Sequence, residues 1–318
     1  MGYLYLSIAL TTSKIKAYCS KRISGLAQNT LNYLLISTIR MLFCITIGFI
    51  FVLAVTKDIN AFKVDRVILV ISAVSGLSSA TFVITWLLAI KTSAFTMLDV
   101  FLTLGIIVPL LLCSVFYGEK IIWIKWIGVA ILIIAVYIMC QYSSSIKGKI
   151  NLKGLALLII CGFSNGLSHF TEKWFSYTMK EFELVGKQVT NTAVFNFYTY
   201  VFAALALAIC YLTIRFISVK SEKSVRLSNL TLRRTLTLVA VMAFCLFMHS
   251  YFCTLAANHL SSSELYPLQQ GLSLILSVVM SAVLFKEKIT KKCIIGVVLT
   301  FIALIIINVL PNVVVFNG

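Results

Sequence analysis

Charged residues are scarce in this sequence: they make up 12% of its 318 residues, whereas hydrophobic residues make up 60%. A soluble globular domain typically has about 25% charged and about 45–50% apolar residues. The chain therefore lacks the polar side chains that would cover a compact body in water, and its mean hydropathy of +1.02 agrees. The 22 Phe and 13 Tyr exclude a disordered chain. The composition indicates an integral membrane protein.

Motifs of several functional classes are also missing. The nine cysteines include no CxxC pair and form no cluster with histidine, which argues against a disulfide framework and a metal site. No GxxxxGK[ST] run is present, so nothing resembles an ATP-binding loop. Acids and histidines inside the apolar stretches are too few and too scattered for an active site. We therefore predict that the protein is not an enzyme and carries no cofactor.

Apolar stretches of about 20 residues, the length that crosses a bilayer as a helix, recur along the chain. They are unbroken, unlike the short alternating strands of a membrane barrel, and the chain has only 3 prolines to kink them. We predict an all-α polytopic membrane protein of ten transmembrane helices. These spans lie near residues 2–18, 31–55, 67–90, 94–116, 122–141, 153–172, 188–214, 235–258, 263–285 and 293–311.

The formal net charge of +17 is concentrated in alternate loops. Basic residues fill the odd-numbered loops, for example Lys14–Arg22, Lys147–Lys153 and Arg215–Arg234, whereas charges in the even-numbered loops nearly balance. Short basic loops stay in the cytoplasm. We therefore predict a cell-membrane protein with cytoplasmic odd-numbered loops and both termini outside. Anionic lipid headgroups account for the basic loops, so we predict no nucleic-acid partner.

The chain matches itself when it is shifted by 168 residues, the distance from Glu119 to Glu287. Glu119–Ile121 then falls on Glu287–Ile289, and Ile127–Val129 falls on Ile295–Val297. The halves 1–150 and 151–318 each hold five predicted helices, and an odd number reverses the second copy in the membrane. Inverted repeats of this kind are typical of secondary transporters, which bind their solute near the midplane and work by alternating access.

The repeated motif resembles a known family. Ala89–Ala94, Gly118–Ile121 and Ile127–Val129 resemble the end of an EamA domain, of the drug/metabolite transporter superfamily. The second copy keeps Glu287–Thr290 but has Lys286 where the first copy has Gly118. The resemblance implies transport of a small metabolite or drug through a cavity walled by spans 1–4 and 6–9. Spans 5 and 10 would be peripheral, which is compatible with a homodimer. Many relatives place their termini in the cytoplasm, whereas the charges here predict the opposite.

Two charged residues lie inside predicted spans, where charge is costly and marks a functional site or an ion pair. Arg40 lies about nine residues, or roughly 14 Å, into span 2, and EamA domains usually carry an arginine there. Asp99 enters span 4 from the same predicted side. We predict that Arg40 binds a carboxylate or phosphate of the solute, with Asp99 orienting it or taking a proton. A structural ion pair, or an arginine that reaches the headgroups, are the alternatives.

Other polar and aromatic side chains in the spans are candidates to line the solute cavity. Buried amides and imidazoles need hydrogen-bond partners away from lipid, whereas aromatic residues also serve as packing or interface anchors. A single histidine, although it titrates near neutral pH, does not establish proton coupling. The candidates are Asn165, Asn196, His249, Gln270, Trp86 and Tyr200.

The turns Glu119-Lys120 and Glu287-Lys288 end spans 4 and 9 at opposite membrane surfaces, which favours a gate or a structural lock over solute contact. Gly128 and Gly296 allow a neighbouring helix to approach closely. The sequence thus predicts a secondary transporter, a carrier or exchanger, for a small solute. A lipid-group flippase of the same architecture and a membrane-embedded enzyme are the alternatives.

Overall fold

The computed structural model describes residues 1–24, 30–90, 98–142, 152–217, 229–284 and 291–310. These residues contain helices and no strand, which confirms the all-α class. A short 3-10 helix, Ile59–Phe62, follows the second helix. The α-helices are α1 (Gly2–Ser24), α2 (Thr30–Thr56), α3 (Arg66–Ile90), α4 (Leu98–Leu104), α5 (Ile107–Tyr117), α6 (Trp123–Tyr142), α7 (Leu152–Leu184), α8 (Thr192–Ile217), α9 (Asn229–His259), α10 (Ser262–Leu284) and α11 (Lys291–Asn308).

Six helical segments of the described chain are long and apolar enough to cross a membrane. They are Leu31–Thr56, Arg66–Trp86, Lys153–Leu184, Thr192–Phe216, Arg233–His259 and Ser262–Leu284. Three shorter apolar segments accompany them, namely Phe101–Tyr117, Trp123–Ile138 and Ile294–Asn308. Helix α1 has a spanning length, but Lys14 and Lys16 lower its hydropathy.

The predicted span 94–116 is interrupted, because α4 ends at Leu104 and α5 begins at Ile107. Pro109 explains the interruption: it has no N–H to donate to the carbonyl of Gly105, and its ring crowds that carbonyl. The N–H of Val108 donates to the Gly105 carbonyl instead, over 3.1 Å. The helical axis is thus broken at one of the few prolines of the chain.

Helix α7 continues twelve residues beyond the predicted end of span 6 at residue 172 and ends at Leu184. The prediction stopped at Glu172 and Lys173 because they are charged, but both are buried in the structure. Gly186, in the left-handed conformation with φ 69°, terminates the helix. Its N–H donates to the Glu183 carbonyl and that of Lys187 to the Phe182 carbonyl, the Schellman pattern.

The helices form two compact units. The first unit comprises Met1–Leu6, Thr85–Lys173 and Ala256–Gly318, and the second comprises Ser7–Ile84 and Trp174–Leu255. Within the first unit α6 packs along α11, and within the second α2 packs along α8. Each unit takes segments from both halves of the sequence. The division is therefore separate from the predicted repeats, whose boundary near residue 150 remains a prediction.

A glycine allows close helix packing in the first unit, and stacked aromatic rings fill the helix interface in the second. A Cβ atom at Gly128 of α6 would lie 2.4 Å from Cγ1 of Ile307 in α11, so only glycine allows this spacing. In the second unit the rings of Phe175 and Phe195 stack with centroids 4.4 Å apart. They belong to a buried cluster with Ile68 and Ile71 of α3.

Candidate functional site

Asn196 and Tyr200, one turn apart on α8, connect this helix to α9 through hydrogen bonds in the second unit. Asn196 is fully buried; its Oδ1 accepts from the Ser250 hydroxyl at 2.5 Å, and its Nδ2 donates to the Thr192 carbonyl at 3.1 Å. The Tyr200 hydroxyl donates to the Leu246 carbonyl at 3.1 Å. These predicted cavity residues therefore also hold two helices together.

His249 connects α9 to α1. Its Nδ1 lies 2.8 Å from the carbonyl oxygen of Ala9. Because a carbonyl oxygen only accepts, Nδ1 carries the proton, and in a neutral ring Nε2 is an acceptor. The ring is half-buried, and His249 precedes Ser250 in the sequence of α9.

Arg40 is half-buried on α2, and its Nε is buried with no hydrogen-bond partner among the described residues. One turn further on, the thiol of Cys44 donates to the Ala243 carbonyl at 3.4 Å. A Cβ atom on Gly48 would touch the ring of Phe247. Helices α2 and α9 therefore run side by side in this region, and Arg40 lies in α2 one turn before the contact of Cys44.

Glu119 is a hydrogen-bonded acid of the first unit. Gly118 turns the chain after α5 with a φ of 63°, a conformation that suits glycine, and Glu119 follows it. One carboxylate oxygen accepts from the N–H of Ser262 at 2.9 Å and from the hydroxyl of the same residue. The other lies 3.5 Å from Nζ of Lys173.

The Lys173–Glu119 pair brackets the turn between α9 and α10. Lys173 donates to the carbonyl of Leu260, just after the end of α9, while Glu119 binds the first N–H of α10. A cation at a helix carboxyl end and an anion at an amino end both complement the helix dipoles and satisfy free backbone groups. The side chains of Lys173 and Glu119 are 5% and 10% exposed, so water screens the pair weakly.

Two further polar contacts surround the same turn of the first unit. Lys125 of α6 donates to the Ser263 hydroxyl at 3.0 Å and lies 3.4 Å from the Glu264 carboxylate. On α7 the carbonyl of His169 accepts from the Tyr266 hydroxyl at 2.5 Å. The amino end of α10 is therefore fixed by α6, α7 and the turn after α5.

The remaining candidates of the first unit are half-buried: Asn165, Gln270 and Trp86. Gln270 donates to the Thr103 hydroxyl at 3.4 Å, from α10 to α4. Asn165 lies in a Gly162-x-x-x-Gly166 segment of α7. Cβ atoms added at these two glycines would lie 2.2 Å from the Phe101 carbonyl oxygen and 2.1 Å from that of Gly105. The backbone of α7 therefore touches that of the α4–α5 junction.

Some predicted residues fall outside the described part of the structure. They are Glu287, Lys288 and the side chain of Asp99, so the predicted pairing of Arg40 with Asp99 stays a prediction. Lys120 is exposed, unlike its neighbour Glu119. Gly296 is buried in α11, where its carbonyl accepts from the Thr300 hydroxyl at 2.8 Å.

A polar pocket of about 620 Å³ opens between two loops of the second unit. Its lining includes Asp58, Lys63, Asp65 and Lys187. Both acids already serve the backbone: Asp58 accepts from the N–H of Asn60 at 2.8 Å, and Asp65 caps α3 by accepting from Val67 at 2.9 Å. The two acids and two lysines of the lining balance in charge. Each of the two carboxylates already accepts a hydrogen bond from a backbone N–H.

Sequence analysis missed four lysines that the helices bury or half-bury: Lys14, Lys16, Lys125 and Lys173. Each lies near one end of an apolar stretch, where a charged residue is normally assigned to the adjoining loop. The available signal was the immediate return of apolar residues after each of them. Within the described ranges, no three His, Cys, Asp or Glu side chains are grouped as metal ligands.

Comparison with solved structures shows a shared fold. One matching chain, described only as the crystal structure of a protein, has a TM-score of 0.73 and 13% identity over 97% of this chain and 96% of its own length. The comparison with curated proteins gives no match.

A family comparison is more specific. The EamA-like transporter family matches residues 152–309, which contain α7 to α11. Members of this family are transporters, and the apolar helices fit a multi-pass membrane protein. The chain belongs to the EamA-like transporter family of the drug/metabolite transporter superfamily.

Proposed function

We propose that the protein is a secondary transporter that moves a small anionic solute across the cell membrane by alternating access. Arg40 binds the carboxylate or phosphate of the solute, and Asn196, Tyr200 and His249 contribute polar groups further along the solute path in the second unit. Ten spans in two inverted repeats form the carrier. Membership of the family supports transport, and the charge of Arg40 supports the sign of the solute.

The observation that carries the proposal is a cation without a described carboxylate partner inside a membrane helix. Arg40 keeps a buried Nε that donates to no described group. The described acids of the second unit, Asp58, Asp65, Glu181 and Glu183, all lie in or next to the loops beyond α2 and α7. Along α2, Arg40 is sixteen residues from Thr56, or about 24 Å. A charge at this depth is costly, and an anionic solute would offset the cost.

Arg40→Met is expected to abolish stabilisation by an anionic ligand. A ligand at 100 times its Kd raises the free energy of unfolding by about 2.7 kcal/mol, which thermal unfolding in detergent measures. The probe is glycerate, with glycerol as its uncharged analogue. Arg40→Lys keeps the charge but loses the planar fork of donors, so we expect a smaller stabilisation by glycerate than in wild type.

Arg233→Met is the matched control, because Arg233 is an exposed arginine at the start of the α9 span. It should respond to glycerate as wild type does. Equal stabilisation of wild type and Arg40→Met, or none of wild type, would contradict an anion site at Arg40.

The charge pattern gives the proposed orientation its own test. Asn60 is exposed in the 3-10 helix of an even-numbered loop, and Lys292 is exposed in α11, beside an odd-numbered loop. In intact cells, Asn60→Cys should react with a membrane-impermeant maleimide, whereas Lys292→Cys should react only after the cells are opened. The reverse pattern would place the odd-numbered loops outside.

A further inference from the structure

We propose that Lys16 of α1 joins Arg40 to form a two-cation site for a doubly charged anionic group of the solute, such as a phosphate monoester. The inference rests on the proposed carrier function and narrows its substrate class. Sequence analysis placed Lys16 in a cytoplasmic loop, whereas the structure places it inside α1.

The contacts of α9 place the two residues at a similar level. Within the second unit, two contacts define the register of α1 on α9: the Ala9 carbonyl contacts His249, and Cys19 packs with Val239 and Met242. The two helices are therefore antiparallel, and Lys16 lies alongside the middle of the 239–249 segment. Interpolation between these contacts places its Cα beside Ala243.

The contacts of α2 place Arg40 beside the same segment. Cys44 bonds to Ala243, and Gly48 faces Phe247, so α2 runs parallel to α9 with a constant offset. Arg40 then lies beside Val239, about one helical turn, or roughly 6 Å, from the level of Lys16. Ile36, Ile39 and Phe43 of α2 pack on the same buried cluster as Cys19. The level is six to ten residues into the α9 span that starts at Arg233, or about 9–15 Å.

The electrostatic surroundings of Lys16 are positive and contain no described carboxylate. Its charge interacts with that of Arg40 and with the thiols of Cys44, Cys245 and Cys253. Thiols are mostly neutral at pH 7, so they do not compensate the two cations. Like charges in a weakly screened environment repel strongly. A bound dianion would remove this repulsion and satisfy the buried Nε of Arg40.

The chemistry favours a compact dianion over a monocarboxylate. A phosphate monoester carries close to two negative charges above its second pKa of about 6 and offers three acceptor oxygens. Arginine can engage two of these oxygens with its fork, while lysine acts as a point charge toward the third. A single carboxylate can match one cation and leaves the other uncompensated.

Thermal unfolding at pH 7.5 with matched ligands tests the inference. The probes are glycerol 3-phosphate, glycerate and glycerol, which share a three-carbon skeleton and differ in charge. We expect wild type to bind glycerol 3-phosphate more tightly than glycerate. Lys16→Met should weaken glycerol 3-phosphate binding about tenfold or more, the effect of losing a hydrogen bond to a charged group, and should leave glycerate binding nearly unchanged. Lys14→Met, two residues away on α1, is the control and should retain the wild-type preference.

The outcomes separate the two proposals. If Lys16→Met keeps the preference for glycerol 3-phosphate while Arg40→Met loses both ligands, the two-cation site is wrong and the anion carrier stands. If neither ligand stabilises wild type, both proposals fail. Lys16→Arg is the control for a folding defect. It keeps the positive charge, so it should fold and keep the preference for glycerol 3-phosphate over glycerate. Its failure to discriminate the two ligands would also overturn the role of a second cation.

Discussion

Lys173→Met is expected to lower the free energy of unfolding by about 3–5 kcal/mol, the cost of removing one partner of a buried ion pair. The substitution leaves the Glu119 carboxylate buried without its cation and the Leu260 carbonyl without its donor. The turn between α9 and α10 would then lose one of the two charges that bracket it. Denaturation by SDS in mixed micelles measures the change for a helical membrane protein.

Two further variants test whether loss of the Lys173–Glu119 pair causes the loss of stability. Lys120→Met removes an exposed lysine next to Glu119 and should change stability by less than about 0.5 kcal/mol. The double variant Glu119→Gln/Lys173→Met removes both charges and should be more stable than Lys173→Met alone. If Lys173→Met and Lys120→Met are equally stable, the buried pair does not hold the turn.

Gly166→Ala is expected to be strongly destabilising, although alanine is the better helix former. At an unhindered helix position the exchange would gain about 0.5–1 kcal/mol. Here the new Cβ would lie 2.1 Å from the Gly105 carbonyl oxygen and 2.8 Å from Cβ of Val108. The backbones must separate, at a cost of about 1–3 kcal/mol for overpacking. Gly162→Ala should act in the same way through the Phe101 carbonyl.

Thermal unfolding in detergent checks the sign of this effect. Phe163→Ala, on the same helix at a residue that is 52% exposed, serves as the control and should be nearly neutral. We expect the double variant Gly162→Ala/Gly166→Ala to yield little folded protein. An unchanged or raised melting temperature for Gly166→Ala would contradict the backbone contact between α7 and the α4–α5 junction.

The sequence predicted helices well where hydrophobicity alone determines them, and less well where packing decides. The residues of span 2 lie in α2 because bilayer length and apolar composition leave few alternatives. The break between α4 and α5 arises at Pro109, whereas a total of three prolines predicts few kinks along the chain. The extension of α7 was hidden, because Lys173 is accommodated there through its contacts with Glu119 and the Leu260 carbonyl.

For the candidate site, the sequence likewise indicated the polar residues but not the packing that gives them their partners. Arg40, Asn196 and His249 stand out in sequence because polar groups are expensive in lipid. The hydrogen-bond partners of His249 and Asn196 on other helices are a backbone carbonyl and a short side chain, those of Ala9 and Ser250. These partners have no sequence signature, since any residue carries a carbonyl. Glu119 was recognised through its repeated motif, but its contact with Ser262 depends on how α5 and α10 pack.

Counterflow in liposomes tests the central claim, that the protein carries an anionic solute through the site at Arg40. Liposomes that contain purified protein and unlabelled glycerol 3-phosphate are diluted into a trace of labelled glycerol 3-phosphate, without an ion gradient. Wild type should accumulate the label transiently and return it chemically unchanged, while Arg40→Met should match empty liposomes. Equal accumulation by Arg40→Met and wild type, or no accumulation by wild type, would contradict the account.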